Sequence, residues 1–495
     1  MVRLVRLVLM PVLALIVFGA WALSSPAGSS PDDDFHQTSI WCAAGPQAGE
    51  CAPGAIAGQY RVPPLVANSS CFAFKADVSG SCQGGVASTP TTTDRGNFTA
   101  LYPPFYYGFM HTFVTSDVNV SIVIMRVVNS VIFVALASVL CWLLPHRRRP
   151  TLVWTLAITM IPLGLFVVAS VNPSSWAITS AALVLLATVG YFETTGLRRI
   201  GVAAVATIAT FLGAGARADG AVFAVIAVGA AVLLTMRRTR RYWLSAIFAV
   251  ALVVLAGALF LTGHQSGSAL SGGLASGGSG TANWQLWFPI LSNLPLLWAG
   301  GLGAVFGLGW VDTQMPGMVW VVTIGVFSAV TFAAVRFLGI RKALVLAAAG
   351  LALLVIPFYL QVSTGTLVGN QVQPRYVLPL VIIFAAIALW EPDGRRLEFS
   401  AAQWWILGAA LAVAQAFALH TNLRRYVTGS DVMNFNLSSG VEWWWNIPIT
   451  PMWLWVLASA ACAGLFALIV VEFAPRSIDR TASGPMEAPL ATVVR

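Results

Sequence analysis

Residues 6–36 read RLVLMPVLALIVFGAWALSSPAGSSPDDDFH. From Leu7 to Leu23 there are 17 consecutive residues without a charge, which at 1.5 Å per helical residue is enough to cross the hydrocarbon core of a bilayer. About ten residues further on stand Asp32, Asp33 and Asp34, then Phe35 and His36, in a chain where only 9% of residues are charged. Adjacent carboxylates repel, so the last of them to ionise has a raised pKa, which suits a general base or a metal ligand. The plainer alternative is a solvated acidic linker after a membrane helix.

The rest of the chain follows from that first span. With 58% hydrophobic residues over 495 positions and a mean hydropathy of +0.81, the expected fold is an all-α polytopic membrane protein. Apolar runs near 6–24, 120–144, 151–171, 175–192, 200–216, 219–235, 242–262, 317–335, 343–361, 376–390, 402–419 and 452–473 predict about 12 transmembrane helices in one domain, 1–475. The net charge of +9 would suggest nucleic acid in a soluble protein. Here the cations sit in short clusters between apolar runs, the mark of the positive-inside rule, so no nucleic-acid partner is expected. The clusters are Arg3 with Arg6, His146 to Arg149, Arg198 with Arg199, Arg237 to Arg241, Arg336 to Lys342, Arg395 with Arg396, and Arg476. All fall on one side if both termini are cytoplasmic, with 476–495 as a cytoplasmic tail. Segments 25–119, 263–316, 362–375 and 420–451 then face outward.

Residues 284–311 are apolar enough to cross, but a crossing there would invert every later basic marker. Pro289, Pro295 and the run GGLGAVFGLG predict a surface helix or a re-entrant hairpin instead. Ala20-Trp21-Ala22 resembles a signal-peptide cleavage site, yet the apolar stretch is longer than a usual signal core, so an uncleaved anchor is expected. Of six cysteines, Cys42, Cys51, Cys71 and Cys82 lie in the first outer segment, where they predict two disulfides with three open pairings. With Gly, Pro, Ser and Thr abundant between Ser79 and Gly96, that segment reads as a stapled, irregular cap. Ser266 to Gly280 reads as a mobile Gly/Ser linker. No internal repeat and no phosphate-binding GxxxxGK[ST] motif is present in the sequence.

The expected outer face gathers further polar residues: Arg217-Ala218-Asp219-Gly220, Gln371-Val372-Gln373-Pro374-Arg375-Tyr376, and His420 with Arg424 and Arg425. Cations there run against the positive-inside bias, and each has a plainer reading: a local Arg217/Asp219 pair, an interfacial anchor at Arg375, a loop pair at Arg424 and Arg425. Asn172-Pro173-Ser174 reads as a helix start.

Pro31-Asp32-Asp33-x-x-His36 resembles the PDExxH element of a family of bacterial polytopic membrane proteins of unknown function that is grouped with the GT-C glycosyltransferases. Arg217-x-Asp219-Gly220, Gly309-Trp310-Val311-Asp312 with Pro316, and Gln373-Pro374-Arg375-Tyr376-Val377-Leu378-Pro379, similar to a QGRYFLP-type segment, agree with it. The resemblance runs from about residue 10 to 475. Two departures are Asp33, where the family often has Glu, and Pro374, which replaces a small residue before Arg375.

The resemblance implies a GT-C-like fold and a transferase at the outer face of the bacterial cytoplasmic membrane. Its donor would be a polyprenyl-phosphate sugar, its acceptor a glycan, lipid or protein of the envelope, and its stereochemical course inverting. Asp32 would be the general base, with Asp33 as its alternative and Asp34 a bystander. His36 would orient the acceptor or touch phosphate, and Arg375, in a segment with Gln373 and Tyr376, would hold the phosphate. Asp312 would position a sugar hydroxyl and Trp310 would stack on the ring or on prenyl carbon. Arg217, Asp219, Arg424 and Arg425 complete the candidate set. The resemblance fixes no cofactor, and a divalent metal on Asp32 and Asp33 stays open. Two other classes stand beside the enzyme: a transporter, flippase or ligase of lipid-linked glycans, and a non-catalytic subunit of an envelope complex.

Overall fold

The computed structural model describes residues 2–47, 50–86, 89–264, 284–336, 338–392, 397 and 399–474. The Gly/Ser linker, Arg395, Arg396, Arg476 and the tail lie outside the described residues. The helices in chain order are α1 Val2–Leu23, α2 Asp33–Trp41, α3 Pro64–Ala67, α4 Phe105–His111, α5 Val118–Leu143, α6 Arg149–Thr159, α7 Leu163–Val168, α8 Ser174–Glu193, α9 Gly196–Ala216, α10 Ala218–Thr235, α11 Arg240–Phe260, α12 Trp287–Asn293, α13 Pro295–Gly301, α14 Gly317–Ala334, α15 Ile340–Thr364, α16 Pro374–Leu389, α17 Ala401–Val427 and α18 Pro451–Phe473. Ten helices among the described residues are long and apolar enough to cross a membrane, where the sequence alone suggested twelve. Of the other two runs, 151–171 is broken into α6 and α7, because Pro162 cannot continue a helix begun before it. The other, α16, has only 16 residues.

The short α16 sits at the centre. All its residues except Tyr376 and Phe384 are buried, as expected of a helix that is apolar all round. It packs against α8, α15, α6 and α13. The equally apolar α8 is its main long neighbour, and together they form the spine of the bundle. Around them α9 and α10 cross closely: a Cβ at Gly220 would run into the carbonyl oxygen of Gly213, so the last position of Arg217-x-Asp219-Gly220 must be glycine. The run 284–311 forms a single-turn 3₁₀ helix, Trp284–Leu286, followed by α12 and α13. At seven residues each, α12 and α13 span about 10 Å, too short to cross.

The two ends of the bundle differ in chemistry. At one end Arg148 holds Glu193 and Lys342 pairs with Glu391, beside most of the arginine clusters. At the other, the polar segment after α1 meets the starts of α8, α10 and α16. The segment between α1 and α5 caps this second end with a small antiparallel sheet, β1 Ala52–Pro53, β2 Tyr60–Val62 and β3 Thr91–Thr93 in the order β1-β2-β3. Disulfides join Cys42 to Cys51 and Cys71 to Cys82, across Cα separations of 5.2 and 6.1 Å. Closing loops of this size constrains the unfolded chain by about 3 kcal/mol each, which helps hold a cap that has little regular structure.

Candidate functional site

Asp32 ends an irregular segment and precedes α2, with its backbone in the left-handed region at φ 61°. Aspartate tolerates that conformation better than most residues other than glycine, and here the surroundings hold it. They do so through the carbonyl of Pro31, which accepts from Arg375 at 2.8 Å and from the Asn172 side-chain amide at 3.0 Å. Arg126, fully buried on α5, fastens the preceding turn by donating to the carbonyls of Ala22, Ser25 and Pro26 and to the Ser29 hydroxyl, at 2.6–3.0 Å. Buried cations thus fix the direction in which the Asp32 side chain leaves the backbone.

The held side chain has a definite role in the charge pattern. Its Oδ2 accepts from Arg375 at 2.5 Å, while Oδ1 lies 3.6 Å from Arg95. Burial disfavours the Asp32 carboxylate, but Arg375 and the other nearby cations outweigh this and hold its pKa below the ordinary value. Asp32 is 40% exposed and Arg95 51%, whereas the Arg375 side chain is 2% exposed. Arg95 also grips Asp34, at 2.5 and 3.1 Å, so Asp34 anchors the exposed cation and is not a bystander.

Arg375 also donates to the Tyr376 hydroxyl at 2.8 Å and lies over that ring at 4.9 Å. Arg217 faces the same ring at 4.6 Å and the Tyr102 ring at 5.5 Å, while binding Asp219 with two bonds of 2.8 Å. The local Arg217/Asp219 pair therefore exists, and it belongs to the cluster around Tyr376. His36 is buried against Tyr102 and Tyr107, with Nδ1 3.0 Å from the Tyr107 hydroxyl. Burial pushes its pKa down to about 3, so the ring is neutral near pH 7.

Asp33 is different from its neighbour. It is fully buried, with Oδ2 accepting from the Ser30 amide at 3.1 Å and Oδ1 without a hydrogen bond among the described residues. Burial raises its pKa to about 7, against the pull of Arg126. This geometry separates the two carboxylates that the sequence left as alternatives for the base, since only Asp32 has an exposed edge. It also bears on a divalent ion, which takes several oxygen ligands. Asp32 is engaged by two guanidiniums, Asp33 turns inward, and no three His, Cys, Asp or Glu side chains converge among the described residues. The residues do not fit a resident metal.

A pH dependence of stability follows from Asp33. A carboxyl whose folded pKa is raised above its unfolded value contributes most at low pH, and the contribution is lost between about pH 4 and about pH 7, while the unfolded group ionises and the folded one does not. Asp33→Asn is therefore expected to raise the melting temperature at pH 8 and to raise it much less at pH 4.5. Scanning fluorimetry of the purified protein at both values checks this, and an equal shift at both would refute it.

Trp310, Asp312, Arg424 and Arg425, expected to meet sugar or phosphate, are engaged with other parts of the protein. Trp310 is 8% exposed, donates to the Gly28 carbonyl at 2.8 Å, and packs with Phe72 and Tyr426. Asp312 receives Arg425 at 2.8 Å, and Arg425 also donates to the carbonyls of Phe72 and Val78. These bonds pin the Cys71/Cys82 loop to α17, and burial leaves Trp310 no free face for a sugar ring. Arg424 donates to Thr428 and to the Asn434 carbonyl. Gln373 forms the N-cap of α16.

Arg95, Asn172 and Arg126 were not among the site candidates that the sequence offered. Asn172 does accept from the Ser174 amide at the start of α8, as its helix-start pattern suggested, but its amide group also reaches Pro31. No curated protein and no solved structure matches the chain. The family model described as "Predicted membrane protein (DUF2142)" matches residues 15–384, most of the length and all of the Asp32, Arg217 and Arg375 segments. The chain thus belongs to this family of membrane proteins.

Proposed function

We propose that the chain is a GT-C-type membrane glycosyltransferase that takes a polyprenyl-phosphate-linked sugar at the outer face of the bacterial cytoplasmic membrane and transfers it, with inversion, to a glycan, lipid or protein acceptor of the envelope. The single observation that carries this reading is the Asp32–Arg375 pair, which joins residues 343 positions apart at the end of the bundle opposite the basic clusters. A carboxylate with one exposed edge, backed by a buried guanidinium and flanked by an exposed one, matches the needs of glycosyl transfer from a lipid phosphate.

In this reading the acceptor oxygen attacks the anomeric carbon as the bond from that carbon to the phosphate oxygen breaks. The acceptor proton passes to Asp32 Oδ1, and the leaving phosphate carries the negative charge. Arg95 meets that phosphate first, because it is exposed and Arg375 is not. As Arg95 turns to the phosphate, Asp32 loses one of the cations that depress its pKa and becomes a better base. Arg375 keeps its bond to Pro31 and holds Asp32 in the productive direction. His36, neutral and bonded to Tyr107, shapes the wall beside the carboxylate.

The positive-inside rule places the basic end in the cytoplasm and the Asp32 end outside. Single cysteines at Thr99 and Gln314, both exposed, should react with an impermeant maleimide added to intact cells, while one at Arg238 should react only after lysis. Labelling of Arg238→Cys in intact cells with protection of the other two would reverse the orientation and remove the site from the outer face. The activity itself is tested by incubating the protein in proteoliposomes with radiolabelled polyprenyl-phosphate sugars and membrane-envelope acceptors, and following release of polyprenyl phosphate.

A further inference from the structure

The end of the bundle opposite Asp32 holds a cavity of about 300 Å³, formed by residues before α6, the turn between α8 and α9, and the connection from α10 to α11. Four of its lining residues are arginines, Arg147, Arg199, Arg237 and Arg241, against one carboxylate, Glu193. That carboxylate is already taken. Buried Arg148 binds both its oxygens at 2.6–3.1 Å, and Arg147 approaches to 3.3 Å. Arg199 is held over the Tyr191 ring at 4.2 Å. Arg237 and Arg241 are exposed, and their side chains make no hydrogen bond or ion pair among the described residues. A concave surface whose four lining guanidiniums face a single carboxylate, itself bound by Arg148, focuses a positive potential and is completed by an anion. Planar guanidiniums favour phosphate, which they bind in a forked geometry.

The rim indicates where that phosphate comes from. Leu197, Ile200, Trp243, Leu244 and Ile247 are 53–85% exposed and continue from the cavity along α9 and α11, two of the membrane-crossing helices. A soluble anion has no use for that border, whereas a lipid lays its chains on it. A volume near 300 Å³ is also at the small end of ligand sites and suits a headgroup. We propose that this cavity is a binding site for the phosphate of an anionic phospholipid in the adjacent leaflet, with the acyl chains along α9 and α11. The site is separate from the transferase reading and does not depend on it.

The test is native mass spectrometry of the full chain in detergent, offered phosphatidylglycerol and phosphatidylcholine in equal amounts. Wild type should retain phosphatidylglycerol preferentially, and Arg199→Gln/Arg237→Gln/Arg241→Gln should retain at least about tenfold less. Arg6→Gln/Arg198→Gln/Arg238→Gln removes three charges from the same end outside the cavity and should change little. Arg237→Gln/Arg241→Gln, which breaks no bond in the folded protein, should lose severalfold and serves where the triple variant does not fold. Equal loss in the Arg6/Arg198/Arg238 variant would reduce the effect to surface charge and overturn the site. Undiminished retention in the double variant would overturn it too. If millimolar inorganic phosphate stabilises lipid-free wild type as much as phosphatidylglycerol does, the cavity takes free phosphate and the lipid assignment fails.

Discussion

Asp32→Asn is expected to leave the protein folded and able to bind donor, and to lower turnover by about 10²-fold or more. The amide keeps the shape of the side chain and can still face Arg375, so the cap should stay in place. What it loses is the oxygen that takes the acceptor proton in the proposed reaction. Asp33→Asn should be far milder, because its carboxyl is buried against the Ser30 amide and has no exposed edge. Asp34→Asn should fall between them, since it loosens Arg95 without touching Asp32. Steady-state rates of polyprenyl-phosphate release give the order, and equal rates for Asp32→Asn and wild type would remove Asp32 from the mechanism.

Arg375→Ala should nearly abolish activity, and Arg375→Lys should retain an intermediate level. The guanidinium makes three directed bonds, to Pro31, Asp32 and Tyr376, and an ammonium on a flexible stem cannot reproduce all of them in one plane. Removing the side chain also leaves the left-handed Asp32 backbone with Asn172 alone on the Pro31 carbonyl. Arg95→Ala should act differently: it removes the exposed contact proposed for the phosphate, so the Michaelis constant for donor should rise more than turnover falls. If Arg95→Ala and Arg375→Ala give the same pattern, the division between a phosphate contact and a positioning residue is wrong.

The contrast between these arginines shows which parts of the site could be read in the sequence. Arg375 stands out because a cation at an expected outer helix start opposes the usual charge bias. Arg95 lies in a loop rich in Gly, Thr and Pro, where nothing periodic tells which way a side chain points or what it meets across 61 residues. Arg126 was overlooked for a related reason. It sits inside an otherwise uncharged helix and donates to backbone carbonyls 100 or more residues away, a partner set that no local pattern encodes. Trp310, Asp312 and Arg425 carry the right chemistry for sugar and phosphate, but the folded cap buries them in its own attachment to α17.

The same division holds for the fold. Ten long apolar helices were legible from runs of hydrophobic residues and the basic clusters between them. Residues 151–171 gave one run because hydropathy does not register that Pro162 separates α6 from α7. For α16, hydropathy shows an apolar segment but not that its neighbours enclose it on all sides. That enclosure is what puts Arg375 at the protein interior, beside Asp32.

The most direct test of the central claim is a cryo-EM map of the Asp32→Asn protein with a polyprenyl-phosphate sugar bound. The account predicts phosphate density within about 4 Å of the Arg95 guanidinium, the reach of a charge-assisted contact, with the anomeric carbon beside residue 32 and the prenyl chain leaving toward the membrane. Donor density at any other place on the protein, with the Asp32 region unchanged and empty of phosphate, would contradict it.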